Sequence, residues 1–232
     1  MEQDLTRYKL VIAPMLYMVR PGVAERISAF VHAGGTFVAT YWSGIVDEND
    51  LCFLGGFPGP LRPVLGIWAE EIDALYEGEG NGVQPVPGNE LGLNGEYTAR
   101  ELCDLIHVES AQVLATYESD FYAGRPALTA NKFGEGLAYY IASRNDARFL
   151  DDLCGALAAQ LGLLRSLEAD LPHGVSAQLR TDGQHRYVFL MNFRAAPASV
   201  ELPEGVYRDL LTGKEVKTRA DLEAYGVMVL AQ

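Results

Sequence analysis

The sequence predicts an α/β domain followed by a small all-β domain, and three observations carry that reading. In residues 8–44 (YKLVIAPMLYMVRPGVAERISAFVHAGGTFVATYWSG) two short apolar runs flank an amphipathic helix. Charge is unevenly placed: residues 1–170 hold 24 acidic and 11 basic side chains, whereas residues 171–232 hold seven of each. Beyond Pro172 the texture changes to short alternating strands separated by turn formers. These changes place domains at 1–168 and 172–232.

Taken in order, Lys9-Leu10-Val11-Ile12-Ala13 is an apolar run suited to a strand buried on both faces. Pro21 suits a first helical position, because its missing N–H would be unpaired there anyway. Val23, Ile27, Phe30 and Val31 form one apolar helix face, and Gly34-Gly35 supply a left-handed exit. Thr36-Phe37-Val38-Ala39-Thr40 follows as a second buried strand, giving a right-handed parallel unit with its helix packed on the sheet. Residues 45–66 lack periodicity and hold an acidic knot, Phe53, Phe57 and a Gly/Pro-rich run; an insertion of this length is usually functional.

Trp68, Ile72, Leu75 and Tyr76 have the spacing of a short helix, and residues 78–95 read as loop. Thr98-Ala-Arg-Glu101 matches a capping box and argues for a helix, while residues 105–108 suit a strand equally well. Residues 112–117 read as strand, and residues 126–133 and 137–142 as a hairpin around Gly134-Glu135-Gly136. Phe149, Leu150, Leu153, Leu157 and Leu161 mark a closing helix ended by Gly162. In the second domain, residues 175–180 and 187–193 flank Asp182-Gly183, a strong hairpin signal. Residues 200–202, 206–211 and 227–230 complete a small β-sandwich.

Composition narrows the function. Of 232 residues, 49% are apolar and 21% charged, as in ordinary globular proteins. No apolar run approaches the ~20 residues of a membrane span, and the acidic start is unlike a secretory leader, so the expected location is cytoplasmic. A net charge of −13 argues against nucleic acid and anionic membranes as partners. Cys52, Cys103 and Cys154 form no CxxC pair and read as small buried hydrophobes.

Catalytic patterns do not assemble. Trp42-Ser43-Gly44 follows a predicted strand, where an α/β hydrolase carries its nucleophile. A nucleophile elbow needs G-x-S-x-G, yet positions 41 and 45 are Tyr and Ile, so Ser43 reads as a turn serine. The glycines at 55, 56 and 59 lack the Lys-Ser/Thr of a phosphate loop. The four histidines are scattered, His107-x-Glu109 is a poor ligand pair, and His32 reads as a partly buried helix residue. Asp47, Asn49 and Asp50 lack the register and glycine of an EF-hand. Glycoside hydrolysis needs two carboxylates ~5–9 Å apart, one with a raised pKa. Glu70 with Glu71, and Glu48 with Asp50, are chain neighbours that point in different directions. The residues therefore predict no catalytic group, no metal site and no cofactor.

The words of the chain are more telling than its periodicities. YKLVIAPMLYMV, HAGGTFVATYWSGIVDENDLCFLGGFPGPLR, VLGIWAEEIDAL, AQVLATYESDFYAGRPALTANKFGEG and LAYYIASR closely resemble the middle domain of family-42 β-galactosidases. DGQHRYVFLMNF, YRDLLTGKEV and LEAYGVMVL are similar to that family's small C-terminal β-domain. The resemblance implies a three-layer, flavodoxin-like or class I glutamine-amidotransferase-like domain with a mostly parallel sheet, which mediates trimer formation. It also implies that the catalytic barrel, with its two glutamates, precedes this region, as do the domain's own first strand and helix. No catalytic residue then carries over, and the chain is an excised piece, a split gene product or a remnant.

The resulting expectation is a non-catalytic trimerisation and accessory region. Its parent hydrolyses terminal β-D-galactosides with retention, and its partners are further copies of itself and the barrel. An edge at the first strand would leave Leu10 and Ile12 thinly covered, and Trp42, Phe53 and Phe57 are the expected anchors of the subunit interface. Two other readings exist. One is a stand-alone amidotransferase-like α/β hydrolase using Cys or Ser. The other is a carbohydrate-binding module stacking sugars on Tyr41, Trp42 and Trp68.

Overall fold

The structure, a computed structural model, describes residues 4–231. It forms two compact units that divide between Gly162 and Leu163. In the first unit, β1 (Leu10–Ala13), α1 (Val23–His32) and β2 (Thr36–Thr40) form the expected unit, with β1 parallel to β2. Pro21 lies just outside α1, whose N-cap is Gly22 in the left-handed region, so the helix starts two residues later than the proline suggests. Gly34, at φ 105°, provides the exit.

A short helix, α2 (Arg62–Leu65), leads into β3 (Ile67–Ala74), β4 (Asn81–Pro85), β5 (Tyr97–Val108), β6 (Gln112–Tyr117), β7 (Pro126–Phe133), β8 (Gly136–Ile141) and β9 (Ser143–Asn145). The unit closes with α3 (Ala147–Gln160), capped by the Asp146 carboxylate on the Phe149 amide and followed by Gly162 in the left-handed region. Among the described residues nine strands make one sheet, ordered β1-β2-β8-β7-β6-β4-β5-β3, with β9 beside β5.

That sheet is mixed, which corrects the mostly parallel expectation. Only β1–β2 and β2–β8 are parallel; the ladders from β8 to β3, and β5–β9, are antiparallel. A parallel link needs a crossover of a dozen or more residues. The joins between β6 and β7 and between β7 and β8 are too short for one, so those strands must turn back. Helices pack on the sheet, α1 against β2 and β8, α2 against β7 and β8, and α3 against β5. Central β2 is buried along its whole length, whereas edge strand β1 leaves Ile12 44% exposed and is not buried on both faces.

Two further expectations fail, and an open choice between helix and strand falls to strand, for one reason: tertiary pairing outweighs a local pattern. The stretch expected as a helix is strand β3, which ends at Ala74. A bulge between Ala69 and Glu71 inserts one residue, so the buried-side spacing widens and imitates helical periodicity. The capping-box motif at Thr98 lies within β5, which pairs with β3, β4 and β9, and Glu101 sits at a bulge with φ 63°. The supposed loop 78–95 contains β4, anchored by buried Asn81, which accepts from the Ser119 amide and hydroxyl and donates to its carbonyl. Of the cysteines, only Cys103 is buried, and burial pushes its thiol up to about 11; Cys52 and Cys154 are exposed. His32 is exposed too, edge-on to Phe133.

The second unit is a small antiparallel sandwich. β10 (Val175–Thr181), β11 (Arg186–Asn192), β12 (Ala198–Glu201), β13 (Tyr207–Asp209), β14 (Glu215–Val216), β15 (Arg219–Leu222) and β16 (Val227–Ala231) form sheets β10-β11-β16-β13-β14 and β12-β15. Val188, Leu190, Val200, Tyr207, Leu222 and Leu230 fill its own core. At its tightest corner Asp209 is only 1% exposed. Its carboxylate accepts from the amides of Leu211 and Val229 and from the Thr212 hydroxyl.

Candidate functional site

The segment from Trp42 to Gly66 is built around one sharp corner. Trp42 leaves β2 at φ 55°, a conformation costly for a bulky side chain, and its amide donates to the Asp104 carboxylate (3.2 Å). Ser43 is fully buried; its hydroxyl donates to the Thr40 carbonyl (2.6 Å) and accepts from the Leu16 amide (3.0 Å). Both roles of that oxygen are occupied by backbone, so it is a structural turn serine and no nucleophile. This removes Ser43 as a nucleophile for an amidotransferase-like enzyme. Gly44 must be glycine, because a Cβ there would lie 2.0 Å from the Pro58 carbonyl oxygen.

From the corner the chain runs beside residues 15–19: Gly44 donates to Leu16, Ile45 to Tyr17, and Val19 donates back to Val46. The acidic knot closes on itself. One Asp47 oxygen accepts from the Asn49 and Leu51 amides, and Asp50 accepts from the Tyr17 hydroxyl (3.1 Å). The far end is pinned by Arg62, which forms a fork with both Glu109 oxygens (2.5 and 2.8 Å) and donates to the Gly55 carbonyl. The Arg62 guanidinium also lies 5.6 Å over the Trp68 ring, which stacks on His107 at 4.6 Å.

Of the three residues expected at the interface, none is the most exposed apolar group. Trp42, Phe53 and Phe57 are each half-buried. Phe53 packs against Gly59 and the core, and the Phe57 carbonyl accepts from the Ala69 amide. The outward apolar groups are Leu54, 98% exposed, and Leu51, 64% exposed, with Met15 and Tyr17 on the companion segment. None of those four is singled out as exposed by the sequence. The available signal was Leu54 itself, a leucine set before two glycines, where no regular element could turn it inward.

The other nominated chemistry stays apart. Glu70 is exposed and accepts from His107 (2.7 Å) and Arg125 (3.0 Å), and those bonds hold its carboxyl below the usual range, the opposite of a general acid. Trp68 carries His107 and Arg62 against its ring, which leaves it a poor sugar platform. Among the described residues no cluster of three His, Cys, Asp or Glu could hold a metal ion, and no helix is long and apolar enough to cross a membrane.

Comparison with known proteins then supplies the context. Residues 1–164 match the model of the β-galactosidase trimerisation domain, and residues 174–232 match that of the β-galactosidase C-terminal domain. The chain is 56% identical over 230 residues to β-galactosidase Pbg of Clostridium perfringens, and 54% identical over 229 residues to BglY of Alicyclobacillus acidocaldarius. Each alignment covers 99% of this chain but 33% of the relative, so the chain spans about a third of the length of these curated relatives. Among solved structures, the cold-adapted β-galactosidase of Rahnella sp. R3 superposes with a TM-score of 0.93 at 56% identity, covering 100% of this chain and 33% of that one. The enzyme of Bacillus circulans sp. alkalophilus gives 0.92 at 49%, covering 100% and 34%.

Proposed function

The chain belongs to the family-42 β-galactosidases, as their trimerisation and C-terminal domains, and from that membership we propose that it acts as a non-catalytic assembly region. The match of residues 1–164 to a trimerisation domain carries this reading. Self-association into a homotrimer runs through the segment 43–66, with Leu54 and Leu51 as the outward contacts and Met15 and Tyr17 beside them. Trp42, Phe53 and Phe57 support those contacts from beneath. In a ring of three each contact is heterologous, so this face meets a different surface of its neighbour.

The chemistry belongs to a parent β-galactosidase whose barrel is the second partner and which releases terminal β-D-galactose with retention, in the cytoplasm. The parallel strands β1, β2 and β8 with α1 correspond to the flavodoxin-like part of the domain, and the antiparallel strands to its elaboration. Two measurements test the proposal. The chain alone turns over no chromogenic β-galactoside; activity above blank that falls on mutating Glu70 or Glu48 contradicts it. Leu54→Asp shifts the trimer toward monomer at an unchanged melting temperature; an unchanged assembly state contradicts the assigned face.

A further inference from the structure

The Trp42 corner rests on a buried carboxyl that the assembly reading does not use. Asp104, in the middle of β5, is 1% exposed. One of its oxygens, Oδ2, accepts from the Tyr140 hydroxyl (2.5 Å) and the Trp42 amide (3.2 Å). The other, Oδ1, is buried and no donor among the described residues reaches it. A buried carboxylate with one oxygen unserved is costly, because burial penalises its charged form far more than its neutral form. The cost falls on a backbone already held at φ 55°.

Among the described residues no cation offsets that charge. The groups that face Asp104 are Tyr140 on β8, Tyr117 on β6, Cys103 on its own strand and Tyr41 beside the corner. Each of these is pushed to higher pKa by burial and stays neutral from pH 4 to 8. Arg144, the nearest base to Tyr41, is already paired with Glu101. From β3, Ile72 lies opposite Asp104 and brings no charge.

We propose that Asp104 is a proton-linked latch: the neutral carboxyl keeps the Trp42 corner, and the segment that begins there, packed on the sheet, and ionisation loosens it. The sign follows from linkage. The closed corner buries the carboxyl and raises its pKa to about 6, chiefly through burial and against the opposing bonds from Tyr140 and Trp42. An opened corner lets water reach Asp104, returning it toward the ordinary ~3.9. Opening therefore releases a proton and is favoured as pH rises through that window. The latch stands on the geometry of the corner and holds whatever surface the segment presents.

Amide hydrogen exchange at residues 41–46, corrected for the intrinsic pH dependence of exchange, reads the opening directly. The opening constant is expected to be flat below about pH 4, to rise by up to ~10-fold per pH unit, and to level off near pH 6. Asp104→Asn, which fixes the neutral state, should flatten the profile. Tyr140→Phe removes a donor to the charged form and should move the upper plateau to higher pH, which keeps the test open if the Asn variant fails to fold. Trp42 fluorescence in a Trp68→Phe background, free of the His107 stack, should show the same transition. A flat profile in the unmodified chain, a transition that survives Asp104→Asn, or a plateau unmoved by Tyr140→Phe each overturns the latch.

Discussion

Each unit of this protein buries one aspartate at 1% exposure, and the two are opposites. Asp209 in the sandwich has both oxygens served, by the Leu211 and Val229 amides and the Thr212 hydroxyl. Burial alone would push its carboxyl up, but those bonds together hold it below the usual range. Asp104 in the α/β unit is equally covered but lies deeper in the protein and has one unserved oxygen, and there burial wins. Depth and the number of donors aimed at a buried charge together decide what it does. One aspartate staples a turn, while the other leaves its corner adjustable.

The sharpest break of that contrast is Asp209→Ala. It orphans two amides and a hydroxyl at once and should cost about 3–5 kcal/mol in chemical denaturation; a loss under 1 kcal/mol would mean the bonds are made by water equally well. Next comes Asp104→Asn, which should stabilise the α/β unit by up to about 3 kcal/mol at pH 7–8 and leave it unchanged near pH 4. The signs oppose one another. The raised carboxyl of Asp104 contributes stability that is full below about pH 4 and is lost as pH climbs to about 6. The lowered carboxyl of Asp209 contributes stability that is present above ~3.9 and is lost as acid protonates it. Smallest is removal of residues 163–232. With separate cores in the two units, a chain ending at Gly162 should keep a cooperative melt within a few degrees of the original. A broad, non-cooperative melt would show a shared core.

How legible all this was depends on whether the deciding contact is local. α1, α3, the Gly134–Gly136 hairpin and the Asp182-Gly183 hairpin are readable because caps, turn residues and period fall within a few positions of each other. β3 and β5 are not, because bulges at Ala69/Glu71 and Arg100/Cys103 scramble a period of two, and their strand character comes from partners dozens of residues away. The same limit applies to the site. The aromatic, glycine-rich segment after Trp42 stands out in the sequence, but nothing local says that Phe53 and Phe57 turn partly inward while Leu54 faces out. Asp104 was invisible as a buried charge, since its partners Tyr140 and Trp42 come from two other strands' ends.

The mass of the purified chain in solution tests the central claim most directly. Light scattering at tens of micromolar should report three times 25.3 kDa, about 76 kDa, with Leu54→Asp moving it toward a single copy. A clean 25.3 kDa monomer would contradict the account, because this region would then not hold its copies together by itself.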